Sequence, residues 1–107
     1  PHNYGKIENP TMTIKQANPL CGDEITMYLE INNDKISDVK FLGKGCVISV
    51  AGASLITDKI KGMPIEEIKK LSKEDLLDLL AIPISPARIK CALLSLEAIK
   101  GAIKWTS

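Results

Sequence analysis

A chain of 107 residues holds one domain with one modest core, since domains usually contain about 100 to 150 residues. Apolar residues make up 45% and charged residues 25%, and a formal charge of +1 supplies no broad field to attract nucleic acid or an anionic membrane. No apolar run approaches the roughly 20 residues that span a bilayer, Pro1 to Gly5 lack the apolar stretch of a secretory signal, and an odd count of 3 cysteines disfavours a disulfide framework. A soluble, cytoplasmic protein with free thiols is predicted, with neither nucleic acid nor membrane as partner.

Residues 1–11 are rich in Pro, Asn and Gly without a clean period and read as an extended lead-in, a truncated start. Apolar and polar residues then alternate over Met12 to Ala17, Ile25 to Ile31 and Ile36 to Phe41, which predicts three antiparallel strands. Asn32-Asn33-Asp34 carries the turn chemistry of a hairpin between the last two. In the middle strand Ile25, Met27, Leu29 and Ile31 share one face, and that face needs a cover of helices.

From Cys46 the pattern becomes helical, through Val47, Val50, Ala51, Ser54, Leu55, Asp58 and Lys59, until Gly62 and Pro64 stop it. Pro64 suits the first position of a short helix ending near Lys70, and Ser72 with Asp75 forms a capping box ahead of Leu76 to Leu80. After Ile82-Pro83-Ile84, Ser85 can cap and Pro86 open a last helix, with Ile89, Ala92, Leu93, Leu96, Ile99 and Ile103 inward. With no internal repeat and no linker, the predicted fold is a single α+β domain over residues 1–107: a three-stranded antiparallel sheet packed against helices in two layers.

Three short segments carry chemistry. Cys21-Gly22-Asp23 enters the second strand, and its glycine lets the backbone fold so that both side chains can face one centre. Alone, the tripeptide is better read as a buried turn with a capping aspartate. Gly43-Lys44-Gly45-Cys46 stands at a strand-to-helix junction, where N–H groups and the helix dipole favour a thiolate. It lacks both the Walker pattern and the dinucleotide fingerprint, so a phosphate cradle is disfavoured. Arg88 precedes Cys91 by three residues on the last helix, where a guanidinium favours a thiolate or pairs with Asp23.

Cys21, Asp23, Cys46 and Cys91 together make four ligands, the number wanted by tetrahedral zinc; the same thiolates and carboxylate equally anchor a small iron-sulfur cluster. A carboxylate among thiolates holds a soft metal less firmly than a fourth thiolate, which suits a carrier better than a permanent structural site. The lone histidine, His2, sits in the polar lead-in far from every cysteine and is not assigned as a ligand.

Asn18-Pro19-Leu20-Cys21-Gly22-Asp23, Gly43-Lys44-Gly45-Cys46-Val47-Ile48-Ser49 with Ala53-Ser54, and Arg88-Ile89-Lys90-Cys91 with Leu93 and Ala98 resemble the IscU, SufU and NifU N-domain family of iron-sulfur cluster scaffolds. The resemblance spans Asn3 to Ile103. It implies a SufE/NifU-like fold whose metal site lies at one exposed end. It also implies that Cys21, Cys46 and Cys91 receive sulfur and bind iron, that Asp23 favours cluster release, and that a cysteine desulfurase supplies persulfide sulfur. The cargo would be a transient 2Fe-2S cluster destined for apo iron-sulfur proteins, with Zn(II) in the cluster-free form.

Within that resemblance, Cys91 is expected as the persulfide acceptor and Arg88 as its auxiliary. The IscU branch has histidine where this chain has Lys90, whereas Arg88 and Lys90 look like the SufU branch. The stretch from Met63 to Pro86 is nevertheless too short for the insertion usual in SufU-like proteins. The family's N-terminal helix is missing, and Ile82-Pro83-Ile84-Ser85-Pro86 replaces the Leu-Pro-Pro-Val-Lys chaperone motif of the IscU branch. A zinc-dependent sulfurtransferase of the SufU kind is therefore the alternative to a scaffold, and a zinc that merely staples the domain is a third reading.

Overall fold

Alternating side chains build the sheet first. In the computed structural model, which describes residues 3–18, 22–45, 47–80 and 86–103, strands β1 (Met12–Asn18), β2 (Asp23–Asn32) and β3 (Lys35–Lys44) form an antiparallel sheet in the order β1-β2-β3. Ile14 lies opposite Met27, and Met27 opposite Phe41. Ile25, Met27 and Leu29 of β2 and Val39 and Phe41 of β3 are fully buried on one face, while Thr26 and Tyr28 stay partly exposed on the other.

Asn33 and Asp34 both have positive φ, 53° and 61°, so the two-residue connection matches a type I′ hairpin whose twist suits the strands it joins. Near that turn the predicted alternation breaks. Glu30 pairs with Asp38 but Ile31 with Ile36, which leaves Ser37 as an extra residue in a bulge. The bulge lets Ile36 and Val39 both point inward despite their odd spacing, and it leaves Ile31 half-buried, where uninterrupted alternation predicts a core residue. The Ser37 hydroxyl donates to the Glu30 carbonyl at 3.0 Å and accepts from the Asn32 amide at 2.8 Å.

Helix α1 (Val47–Ile60) and helix α4 (Pro86–Ile103) cover the sheet, α1 over β3 and β2, α4 over β1 and β2, and the two pack on each other. The inward face of α1 is Ser49, Ala53, Ile56 and Ile60, with Gly52 and Thr57, and so differs from the residues that marked the helix in sequence. Small residues face inward because α4 comes close. Wedged between α1 and β1, α4 buries Leu94, Ser95, Ala98 and Ala102 besides the predicted Ala92, Leu96, Ile99 and Ile103, while Ile89 and Leu93 are partly exposed.

Two shorter helices close the rest. Pro64 is the cap of α2 (Ile65–Ile68), one position before the predicted first turn, because its backbone is extended, with ψ 145°, and bridges Lys35 of β3. The linker ahead of it and its first residue are stitched to the hairpin: the Ile36 N–H donates to the Met63 carbonyl at 3.0 Å, and the Ile65 N–H to the Asp34 carbonyl at 2.8 Å. Ahead of α3 (Lys73–Leu80) the predicted capping box forms, with the Ser72 N–H donating to Asp75 Oδ2 at 2.8 Å and the Asp75 N–H to Ser72 Oγ at 3.4 Å. Pro86 opens α4 as expected, whereas Ser85 lies outside the described residues.

The lead-in joins the sheet edge. Phe41 donates its N–H to the Asn3 carbonyl at 3.0 Å and accepts from the Gly5 N–H at 2.8 Å, in a parallel bridge at Tyr4. The Tyr4 ring meets Phe41 edge to face with centroids 5.3 Å apart. The Asn3 side chain ties the same strap to α1, donating to Thr57 Oγ1 at 3.0 Å and accepting from Lys61 Nζ at 2.7 Å.

Candidate metal centre

Asp23, the first residue of β2, is only 1% exposed. A carboxylate withdrawn from water is costly unless donors replace its hydration. Ser49, itself buried in the first turn of α1, supplies one: its hydroxyl donates to Asp23 Oδ2 at 2.9 Å. The start of β2 is thereby joined to the start of α1, where helix N–H groups also favour negative charge.

Gly45 forms the other wall. Its φ of +129° disfavours an L side chain, and a Cβ built on it would lie 2.7 Å from Asp23 Cγ and 2.8 Å from Asp23 Cα, besides colliding with Oδ1. Glycine at this position is what lets the backbone ahead of Cys46 close over the carboxylate. Gly22, with φ +71°, has open space where its Cβ would stand, so its need for glycine is conformational alone.

Helix α4 reaches the same neighbourhood by small-residue packing. A Cβ on Gly52, in the second turn of α1, would stand 2.8 Å from the Ala92 carbonyl oxygen, so the two helices meet backbone to backbone one residue beyond Cys91. Cys91 occupies the second turn of α4 and Arg88 the first. Beside the Gly43-Lys44-Gly45 segment an open depression of about 340 Å³ is lined by Tyr4, Glu24, Thr26, Leu42, Gly43 and Lys44, and the Tyr4 hydroxyl donates to the Gly43 carbonyl at 3.1 Å. On its rim Lys15 Nζ lies 2.9 Å from Glu24 Oε1, and that hydrogen bond holds the Glu24 carboxyl below its ordinary range.

Of the predicted ligands, Asp23 is thus set against Gly45 and Ser49, the residues one before and three after Cys46 in sequence. Cys21 and Cys46, like His2, lie outside the described residues. Among the described residues no group of three or more His, Cys, Asp or Glu side chains could hold a metal. The donor set itself, three thiols with one enclosed carboxylate, has the chemistry of a soft-metal site.

Sequence reasoning missed Ser49 and Gly52 as parts of this region. Ser49 entered the sequence reading only as the last residue of the matching segment Gly43 to Ser49, with no role of its own, and its available signal was its place three residues after Cys46 at a helix start.

Residues 1–106 match the family described as the NifU-like N terminal domain. The chain is 37% identical, over 96% of its length and 84% of the other's, to a Thermotoga maritima protein named iron-sulfur cluster assembly scaffold protein IscU. It is 38% identical, over 97% of its length and 82% of the other's, to the Bacillus subtilis protein named zinc-dependent sulfurtransferase SufU. The structure superposes with a TM-score of 0.81, at 31% identity and covering 94% of this chain and 86% of the other, on a crystal structure from Fervidobacterium islandicum described as a putative iron-sulfur cluster assembly scaffold protein for the SUF system. With the predicted antiparallel sheet and helical layer observed and the match running almost end to end, the chain belongs to the NifU-like N-terminal domain family.

Proposed function

We propose that the protein is an iron-sulfur cluster assembly scaffold that accepts persulfide sulfur from a cysteine desulfurase, builds a 2Fe-2S cluster and passes it to apo-proteins. The observation that carries this reading is the enclosure of Asp23: a buried carboxylate two residues from Cys21 in sequence, walled by Gly45 and hydrogen-bonded to Ser49, the residues that flank Cys46 in sequence. Cys21, Cys46 and Cys91 serve as thiolate ligands of the cargo and Asp23 as the exchangeable fourth. A bound cluster or zinc ion supplies the electrophilic centre that these four groups share.

Sulfur arrives by thiol exchange. The Cys91 thiolate attacks the terminal sulfur of the desulfurase persulfide, a new S–S bond forms on Cys91, the donor's S–S bond breaks, and the donor cysteine leaves as thiolate. Arg88, one helical turn earlier, favours the negative charge that the attack requires. Replacing Cys91 with Ser is expected to abolish sulfur loading, read by mass spectrometry as loss of the one-sulfur mass gain after incubation with the desulfurase and cysteine. Loading that persists undiminished in Cys91→Ser removes the acceptor role.

Arg88 also favours a second reading, a zinc-dependent sulfurtransferase, in keeping with the likeness to the Bacillus subtilis protein of that name. Anaerobic incubation with iron, cysteine and the desulfurase separates the two. A visible cluster that passes to an apo-ferredoxin supports scaffolding, and zinc-dependent stimulation of the desulfurase without a cluster supports sulfur transfer.

A further inference from the structure

We infer that Ser49 is a positioning residue for the metal centre, acting through Asp23 to aim the carboxylate at the cargo; this rests on the ligand set proposed above. A carboxylate on a short side chain at the head of a strand can swing about two torsions, and a swinging ligand loses much of the advantage of being built into the site. In this chain the swing is arrested from both sides. The Ser49 hydroxyl holds Oδ2 at 2.9 Å, and the Gly45 backbone lies so close that a methyl group there would overlap the carboxyl.

Both restraints come from Gly45 and Ser49, one residue before and three after Cys46 in sequence. Ser49 is fully buried, as is Thr57 two turns further along the same helix, yet the two hydroxyls have different tasks. Thr57 Oγ1 donates to the Ser54 carbonyl of its own helix at 2.9 Å and accepts from the neutral Asn3 amide, while Ser49 donates 26 residues back in sequence to a carboxylate. Bonds of this kind around metal ligands commonly govern affinity as strongly as a weak ligand does.

The test is Zn(II) binding to the intact chain, measured by competition with a chromophoric chelator, for wild type, Ser49→Ala, Ser49→Thr, Asp23→Asn and the double variant Ser49→Ala/Asp23→Asn. Ser49→Ala is expected to weaken Zn(II) binding about tenfold, and Ser49→Thr, which keeps the hydroxyl, to restore most of it. In the Asp23→Asn background, removal of the Ser49 hydroxyl is expected to change nothing further, because its effect is routed through that carboxylate. The double variant also guards against poor folding of Ser49→Ala alone, since Asp23→Asn removes the buried charge.

Equal losses from Ser49→Ala with and without the Asp23 carboxylate would overturn the inference, placing Ser49 in the packing of α1. Undiminished Zn(II) binding in both Asp23→Asn and Ser49→Ala overturns it as well, while leaving a cysteine-only site intact. Wild-type protein that binds no Zn(II) removes both this inference and the ligand set beneath it.

Discussion

The two ends of the β2–β3 hairpin are built by opposite rules. At the turn end Asn33 and Asp34 adopt positive φ in open surroundings, and the Ser37 bulge satisfies its own backbone with a hydroxyl. The turn and the bulge there are shaped by the local sequence, and the bonds that Asp34 and Ile36 make to residues 62–65 add to a conformation already set. At the other end Gly45 closes over a buried carboxylate, Asp23 depends on a hydroxyl from a helix, and Gly52 lets a second helix press on the first. The contacts described at this end join distant parts of the chain, as expected where structure serves binding and not merely folding.

Substitutions can break that contrast, beginning with the most damaging. Gly45→Ala combines an unfavourable φ with collision against Asp23 and is expected to cost on the order of 3 kcal/mol and to abolish Zn(II) binding, by urea unfolding and chelator competition. Its control is Gly22→Ala, which meets no neighbour within 4 Å and should cost about 1 kcal/mol for the backbone conformation alone. Equal costs for the two would dissolve the distinction between a crowded end and an open one. Gly52→Ala should fall between them, at about 2 kcal/mol, because the Ala92 carbonyl is backbone and can yield only if the helices part.

The smallest effect lies outside the hairpin, at the α3 cap. The Ser72 N–H beside Asp75 holds the Asp75 carboxyl below its ordinary range. Since the folded value is depressed, its contribution to stability is present above the unfolded value of about 3.9 and is lost as pH falls through the folded one. Asp75→Asn should therefore be less stable than wild type at neutral pH, with the gap in urea midpoints closing under acid. A gap that is constant with pH would assign the cap's benefit to shape instead of charge.

How far the sequence could be read follows the same division. Alternation gave away β2 and most of β3, and Ser72 with Asp75 announced the start of α3, because each signal is local. Ser37 escaped notice because a bulge is visible only in the pairing of two strands. The inward face of α1 escaped because its members Ser49, Gly52 and Ala53 are small, chosen for the nearness of α4 and not for apolar bulk. Asp23 was legible through its motif, whereas its partnership with Ser49 spans 26 residues and leaves no periodic trace.

The strap formed by Asn3, Tyr4 and Gly5 has a consequence for association. An uncovered border strand offers unpaired amides and carbonyls to any extended chain that drifts by, and is a common start for unwanted polymer growth. By occupying both backbone groups of Phe41, the strap denies that template at the middle of β3, the strand that leads into Gly45 and Cys46. A passing peptide cannot add itself there without first displacing residues that the protein already holds in place through Thr57 and Lys61.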